Sequence, residues 1–317
     1  MVTITGDYPQ IERRSTGIYS LDFALSSRNG ELGMPLRSLY EIFGPSGTGK
    51  STFSYYLSGC VDPTGKINVA PLELQDKEYM AACVHAAGFS GTLNIMDMTD
   101  GKKALTHEKI IDNLSRSVLD DGVSAVVLDS VGAVLPIVEE EGDLEDAFMG
   151  KRAKIIGRFS KKVARFLIDS PNPGVAILIN HSHQILGGRG HVTAGGVTKD
   201  YMDIVKIGLW VKETIESNDE AAGWVIEGTV EKLRFGKKGR KFRVVNLPGL
   251  GISRNLSAVF DCVSLGLATR STTVKIGDKS IGYLSKLFEA ERNGKNEIFQ
   301  PFHEELDKYK SGVNNEP

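Results

Sequence analysis

The sequence predicts an α/β fold with a mainly parallel central sheet, followed by a small α+β C-terminal module. Three observations carry that prediction. Short apolar runs alternate with longer segments of helical period between Leu39 and Ile179, the pattern of strands joined by crossover helices. The apolar runs have no polar face, as in 175–179, so the sheet is covered on both sides. After Asp203 the pattern changes to longer strands joined by polar turns, an antiparallel extension.

The elements follow in order. Residues 39–43 form a strand that runs into a Gly-rich loop, and 51–60 form the helix after it. Residues 66–72 are the next strand, and 76–87 a helix that Gly88 stops. A short strand at 93–96 precedes an amphipathic helix at 107–119, with Ile110, Ile111, Leu114 and Val118 on one side. Strand 125–128, helix 154–168 and strand 175–179 complete the parallel part. Antiparallel strands are expected at 204–212, 224–233 and 241–246, ended by Pro248-Gly249. A helix at 256–265, a hairpin of 273–276 and 280–283 around Gly277-Asp278, and helices at 284–292 and 301–310 form the end module. Residues 311–317 read as a frayed tail. This divides the chain into a short segment (1–36), a core (37–255) and a C-terminal module (256–317).

Composition excludes several classes. The chain has 317 residues, 41% hydrophobic and 25% charged, enough apolar material for a packed core rather than disorder. Its 35 Gly and 11 Pro show no short period, so it is not collagen-like. No run of about 18 apolar residues suggests a membrane span, and the first ten residues lack a secretory pattern. Cys60, Cys83 and Cys262 are widely spaced and read as reduced thiols. Lys plus Arg is 38 against 40 for Asp plus Glu, a net charge of −2, so any polyanion must bind at local patches.

The sharpest signal is Gly44-Pro45-Ser46-Gly47-Thr48-Gly49-Lys50-Ser51, with Thr52 next, a phosphate-loop pattern between a strand and a helix. Glycines let successive backbone N–H groups turn toward one anion, and the following helix adds its positive end. Lys50 supplies a cation for the β- and γ-phosphates of ATP, and the Ser51 hydroxyl suits Mg²⁺. Ala125-Val126-Val127-Leu128-Asp129 is an apolar strand ending in a carboxylate that would hold the same Mg²⁺ through water. Glu73, at the end of the strand after the loop's helix, is placed to polarise an attacking water.

These residues together resemble the RecA-type strand-exchange ATPases over roughly residues 14–265. In character the chain is similar to the family's viral branch, typified by the phage recombinase UvsX. Arg14, Gly17, Leu21 and Asp22 resemble the stretch that opens the family's core. The order phosphate loop, Glu73, Asp129 and a strand-end polar pair is the family's order. The resemblance implies that Asp76 and Tyr79 flank the adenine, one residue closer to the glutamate than usual. It implies that His181, in Asn180-His181, senses the γ-phosphate where the family commonly has Gln. A metal reading of His181-Ser182-His183 is set aside, since no Cys or carboxylate cluster joins it.

The resemblance also implies two DNA-binding loops, about 139–152 and 184–198. In the first, Met149 matches a side chain that wedges between bases, and Lys154 and Lys161 fall where the family sets cations against DNA phosphates. The second is Gly-rich and polar, with Arg189 and the pair Gly195-Gly196, and is expected to be mobile until DNA orders it. Lys232 and Arg234 match two cations that reach the γ-phosphate held by a neighbouring subunit. The basic cluster at 237–241 reads as a charged hairpin tip. The implied protein is a DNA-dependent ATPase that forms filaments on single-stranded DNA and pairs it with homologous duplex. Its partners would be further copies of itself, mediator proteins and single-strand-binding proteins, in a bacterial cytoplasm and encoded by a phage if the viral likeness holds. Two departures stand out: few residues precede Arg14, and the C-terminal module is short. The alternatives are a non-filamenting regulator or mediator on the same fold, and a helicase.

Overall fold

Runs of Val, Ile, Leu and aromatic residues without a polar face can be buried only in the middle of a layered sheet. The structure, a computed structural model, describes residues 11–140, 150–184, 191–217 and 220–313. Five strands form its parallel half: β1 (Ser38–Gly44), β2 (Lys66–Pro71), β3 (Thr92–Ile95), β4 (Val123–Asp129) and β5 (Val175–Gln184). The helices between them are α1 (Lys50–Val61), α2 (Lys77–His85), α3 (His107–Ser117) and α4 (Lys151–Asp169). Next come β6 (His191–Thr193), α5 (Gly196–Met202), β7 (Val205–Ser217), β8 (Glu220–Leu233), β9 (Lys241–Leu247), β10 (Gly251–Ser253) and α6 (Arg254–Ser264).

Across the sheet the order is β10-β9-β8-β7-β1-β5-β4-β2-β3, with β6 paired to β5. Every contact from β1 to β3 along that path is parallel. Strand β7 lies parallel to β1 and antiparallel to β8, so the predicted antiparallel strands continue the same sheet. Strands β1 and β4 are buried at every residue. In β1 successive side chains alternate between faces, as a strand requires. Tyr40 and Ile42 join Phe53 and Leu57 of α1 and Met80 of α2 on one face. Leu39 joins Leu114 of α3 and Phe159 of α4 on the other. The apolar side of α3 read from the sequence is the buried one.

The C-terminal part contains β11 (Thr269–Arg270), β12 (Val274–Ile276) and β13 (Lys279–Gly282) in a small antiparallel sheet, then α7 (Leu284–Arg292) and α8 (Gln300–Val313). Its apolar side chains do not form a core by themselves. Leu256, Phe260, Phe288 and Phe302 pack with Ile215, Val225 and Val245 of the large sheet.

The structure also differs from the sequence expectation in places. A short helix at Tyr19–Ala24 and helix α5 are too brief to show a period, and β11 adds a third strand to the expected hairpin. The Asp22 carboxylate holds the first of these together, accepting from the Thr16 N–H and Oγ1, each at 2.7 Å. Residues 311–313 continue α8 rather than fray; residues 314–317 lie outside the described part. Within 184–198, β6 pairs with β5 and α5 begins at Gly196, two short elements that the sequence did not suggest.

Candidate functional site

Parallel strands end on one edge of a sheet, and an open α/β sheet binds ligands beyond those carboxyl ends. Four strands bring the sequence-predicted residues there. Gly44 ends β1, and His181 of β5 is its direct register partner. Asp129 ends β4 opposite Pro71, and Glu73 follows Pro71 by two residues. Together they line a cleft of about 370 Å³ that contains Lys50, Ser51, Glu73, Asp129 and His181.

The phosphate loop leads into α1, whose N-cap Gly49 has φ +77. That left-handed geometry suits glycine, and a Cβ there would also lie 2.8 Å from Ile226 Cδ1. Ser46 through Thr52 all line the cleft. Gly44 and Pro45 precede the lining residues, and a Cβ on Gly44 would lie 2.4 Å from Leu209 O. Lys50 is buried, and its Nζ donates to Pro45 O at 2.7 Å. Burial pulls its ammonium pKa below the ordinary value, opposed by the charges of Asp129 and Glu73.

The residues fit a Mg²⁺–nucleotide pair. Asp129 and Ser51 offer the hard oxygen donors that Mg²⁺ takes. Asp129 is 2% exposed, and its Oδ2 accepts from Tyr55 OH at 2.9 Å and Gln75 Nε2 at 3.4 Å. Burial raises its carboxyl pKa, offset in part by the hydroxyls of Ser51 and Tyr55. A buried carboxylate beside a buried lysine and a hydroxyl offers donors for a metal ion and a cation for a phosphate within one cleft.

Glu73 is held by a residue the sequence reading passed over. Ser130 Oγ donates to Glu73 Oε1 at 2.5 Å, and the peptide Asp129–Ser130 is cis. His181 Nε2 lies 4.0 Å from the same Glu73 oxygen. The strand-end glutamate therefore stands between a hydroxyl and an imidazole at one end of the cleft. The antiparallel strands supply another wall that sequence gave no sign of: Val211, Trp224, Ile226 and Asn246.

The residues implied for the adenine part company. Tyr79 lines the cleft, with its hydroxyl 2.6 Å from Thr52 Oγ1, and burial pushes its phenol pKa up to about 12. Asp76 is exposed, lies outside the cleft lining, and caps α2 by accepting from the Glu78 N–H at 2.9 Å.

The implied DNA residues are spread more widely. Met149 and Arg189 lie outside the described residues. Lys154 and Lys161 are exposed on α4. Gly195 is the N-cap of α5, and a Cβ on it would meet Ile156 Cγ2 at 2.9 Å. A Cβ on Gly196 would meet Ala153 Cβ at 3.0 Å. In this structure their missing side chains serve the close packing of α5 on α4. Lys232 and Arg234 do not line their own chain's cleft. They grip the C-terminal end of α5, where Lys232 Nζ donates to Asp200 O and Arg234 Nη2 to Tyr201 O.

A buried ion cluster ties these parts together, and one sequence signal pointed to it: Glu41 is a charge inside an otherwise apolar strand. Glu41 Oε1 accepts from Asn180 Nδ2 at 2.8 Å and pairs with Lys199 of α5 at 2.6 Å. Its Oε2 pairs with Lys206 of β7 at 3.0 Å. Asn180 also donates to Ala194 O at 2.7 Å. The strand before the phosphate loop, the strand carrying His181 and the helix after the second loop thus meet at one carboxylate.

Fold and cleft define a phosphate-loop α/β protein in which a half-antiparallel sheet closes one side of the site. The family described as RecA N-terminal domain matches residues 2–253. The chain is 28% identical over 264 residues to Protein RecA of Chloroflexus aggregans, covering 82% of this chain and 72% of that one. It is 27% identical over 271 residues to Protein RecA of Bifidobacterium longum, covering 84% and 65%. Protein RecA of Crocosphaera subtropica is 28% identical over 254 residues, with 77% and 67% covered. The chain belongs to the RecA-type recombinase family.

Proposed function

We propose that this protein is a DNA-dependent ATPase that assembles on single-stranded DNA and promotes homologous pairing and strand exchange. The observation that carries the reading is the separation of two sets of groups. Lys50, Ser51, Asp129, Glu73 and His181 surround one cleft, while Lys232 and Arg234 lie off it on the same chain. In this reading Lys232 and Arg234 exchange their contacts with the Asp200 and Tyr201 carbonyls for a neighbour's γ-phosphate, so turnover requires two copies in contact.

Each residue has a role in this scheme. The backbone of residues 44–49 and Lys50 bind the phosphates of ATP, and Ser51 and Asp129 hold the metal. Mg²⁺, when bound, neutralises charge that develops on the phosphate oxygens. Glu73, steadied by Ser130, orients the attacking water and takes its proton as the β–γ bridging bond opens, which leaves ADP and phosphate. His181 faces the same end of the cleft and reports the γ-phosphate to the second loop. Lys154 and Lys161 hold DNA by its phosphates with little sequence preference, so the bases stay free to pair. Met149 and Arg189 are assigned to the same surface by resemblance.

The reading implies single-stranded DNA, homologous duplex and further copies of the chain as partners, with mediator and single-strand-binding proteins beside them. It suits a bacterial cytoplasm. Among the described residues, no helix is long and apolar enough to cross a membrane. The phage likeness rests on Asn180-His181.

The test is phosphate release with and without single-stranded DNA, on the native chain and Lys50→Ala, paired with electron microscopy in an ATP analogue. Stimulation by DNA and continuous helical filaments support the proposal. DNA-independent turnover, or DNA binding that an ATP analogue does not tighten, overturns it. Closed rings that unwind duplex indicate a helicase, and partner binding without filaments indicates a regulator or mediator.

A further inference from the structure

Away from the cleft, a groove of about 640 Å³ runs between α3 and α4, with the short helix Ile137–Glu140 along one edge. That edge is fastened to α3: His107 Nδ1 accepts from the Leu135 N–H at 3.0 Å, and Glu108 Oε1 from the Ile137 N–H at 3.3 Å. The floor is apolar, made by Ile111, Ile155 and Phe159, and Val138 on the rim is 41% exposed.

The walls are cationic, in a chain whose net charge is −2. Asp112 on α3 pairs with both Arg116 and Lys162, which satisfies two of the groove's cations. Lys109, Lys151, Lys154 and Arg158 also line it, and none has an ion-pair partner among the described residues. Lys151, Lys154 and Arg158 are spaced three and four apart, so they stand in one row along α4. Like charges set side by side over an apolar floor are costly to leave unmatched, and an anion with apolar anchors relieves both costs.

We propose that this groove is a docking site for an acidic protein segment carrying Leu or Phe anchors at helical spacing. Charge complementarity selects the acidic class. The groove selects a peptide over a polynucleotide: Phe159 is 2% exposed and offers no face for base stacking, while aliphatic anchors match the partly exposed Ile155 and the exposed Val138. The site goes beyond the recombinase reading and shares Lys154 with it, so a docked segment and DNA exclude each other there.

The experiment uses the full chain without nucleotide and a fluorescein-labelled peptide of about 14 Asp and Glu residues with Leu or Phe at every third or fourth position. Anisotropy is expected to rise with the native chain, and the affinity to fall at least about tenfold in Arg158→Glu and in Lys109→Glu. Lys161→Glu, on α4 but outside the groove, is expected to leave it unchanged. The urea unfolding midpoint of Arg158→Glu is expected to match that of the native chain, which shows that the variant is folded. Four results overturn the proposal. The peptide fails to bind the native chain. It binds equally after its anchors are changed to Ala. Arg158→Glu weakens an oligothymidylate instead of the peptide. Binding appears only after Glu139, Glu140, Glu141, Asp143, Glu145 and Asp146 are neutralised, which assigns the groove to the chain's own acidic stretch. The peptide measurement needs neither ATP nor DNA, so its failure and that of the recombinase reading are distinguishable.

Discussion

Lys199 Nζ lies 2.6 Å from Glu41 Oε1, and neither side chain is exposed to solvent. A lysine at that depth is held by its partners. Burial pushes its ammonium pKa down, but Glu41 and Asp203 more than offset this, and the net shift is upward. Glu41 shifts the other way: burial alone would raise its carboxyl pKa, and Lys199 with Lys206 pulls it below the ordinary value.

Removing one member of such a pair strands the other. Lys199→Met is expected to destabilise the fold by about 3–5 kcal/mol, because Glu41 stays buried with less compensation. Glu41→Gln added to Lys199→Met should restore much of that loss. Urea unfolding midpoints of the native chain and these two variants measure it; Lys199→Met as stable as the native chain would show that the pair is not what holds α5.

The cleft geometry separates binding from chemistry. Lys50→Ala should weaken both nucleotide binding and turnover. Glu73→Gln should keep the binding and lower kcat by roughly a hundred- to ten-thousandfold, the usual range for losing a general base. Fluorescent-nucleotide titration beside phosphate release distinguishes the two, and equal losses of affinity would remove Glu73 from the water-activating role.

Lys232 and Arg234 make the assembly prediction. With either changed to Ala, DNA-stimulated turnover should fall by about 10³–10⁵, the range for a supplied arginine finger, with nucleotide affinity little altered. Mixing Arg234→Ala chains with Lys50→Ala chains should recover part of the rate, since each provides what its neighbour lacks. No recovery at any mixing ratio counts against action between subunits.

Asp261 carries a pH prediction. It is 2% exposed, accepts from the Ser20 N–H at 3.0 Å, and burial pushes its carboxyl up to about 7. Because the folded pKa is above the unfolded one, its contribution is full below about pH 4 and lost as pH rises through 7. The slope is at most about 1.4 kcal/mol per pH unit. Asp261→Asn should flatten that decline and gain on the native chain above pH 7. Melts across roughly pH 5 to 8 give the comparison, and parallel curves would contradict it.

Much of the architecture was legible because burial on both faces leaves a mark in the residues. Strands β1, β4 and β5 were readable as apolar runs, and α3 by its one apolar side. Helix α5 was not, since seven residues cannot show a period and its stability comes from packing on α4. Ser130 was invisible as a site residue because its partner, Glu73, lies 57 positions away. Asp76 was implied beside the nucleotide by the family resemblance; its role as the cap of α2 was also open to a reading of the sequence, since an Asp at a helix start is commonly used so.

The sequence by itself determined the chemistry: a Gly-rich loop between strand and helix, a carboxylate closing an apolar strand, and a glutamate after the next one. These are local patterns, and their physics needs only neighbours in the chain. Tertiary structure alone decided what surrounds them. It set His181 beside Gly44, closed the cleft with Trp224 and Asn246, and buried Glu41 against Lys199. Those contacts depend on strand order and register, which no local pattern encodes because the partners are distant in sequence and meet only when the sheet is complete.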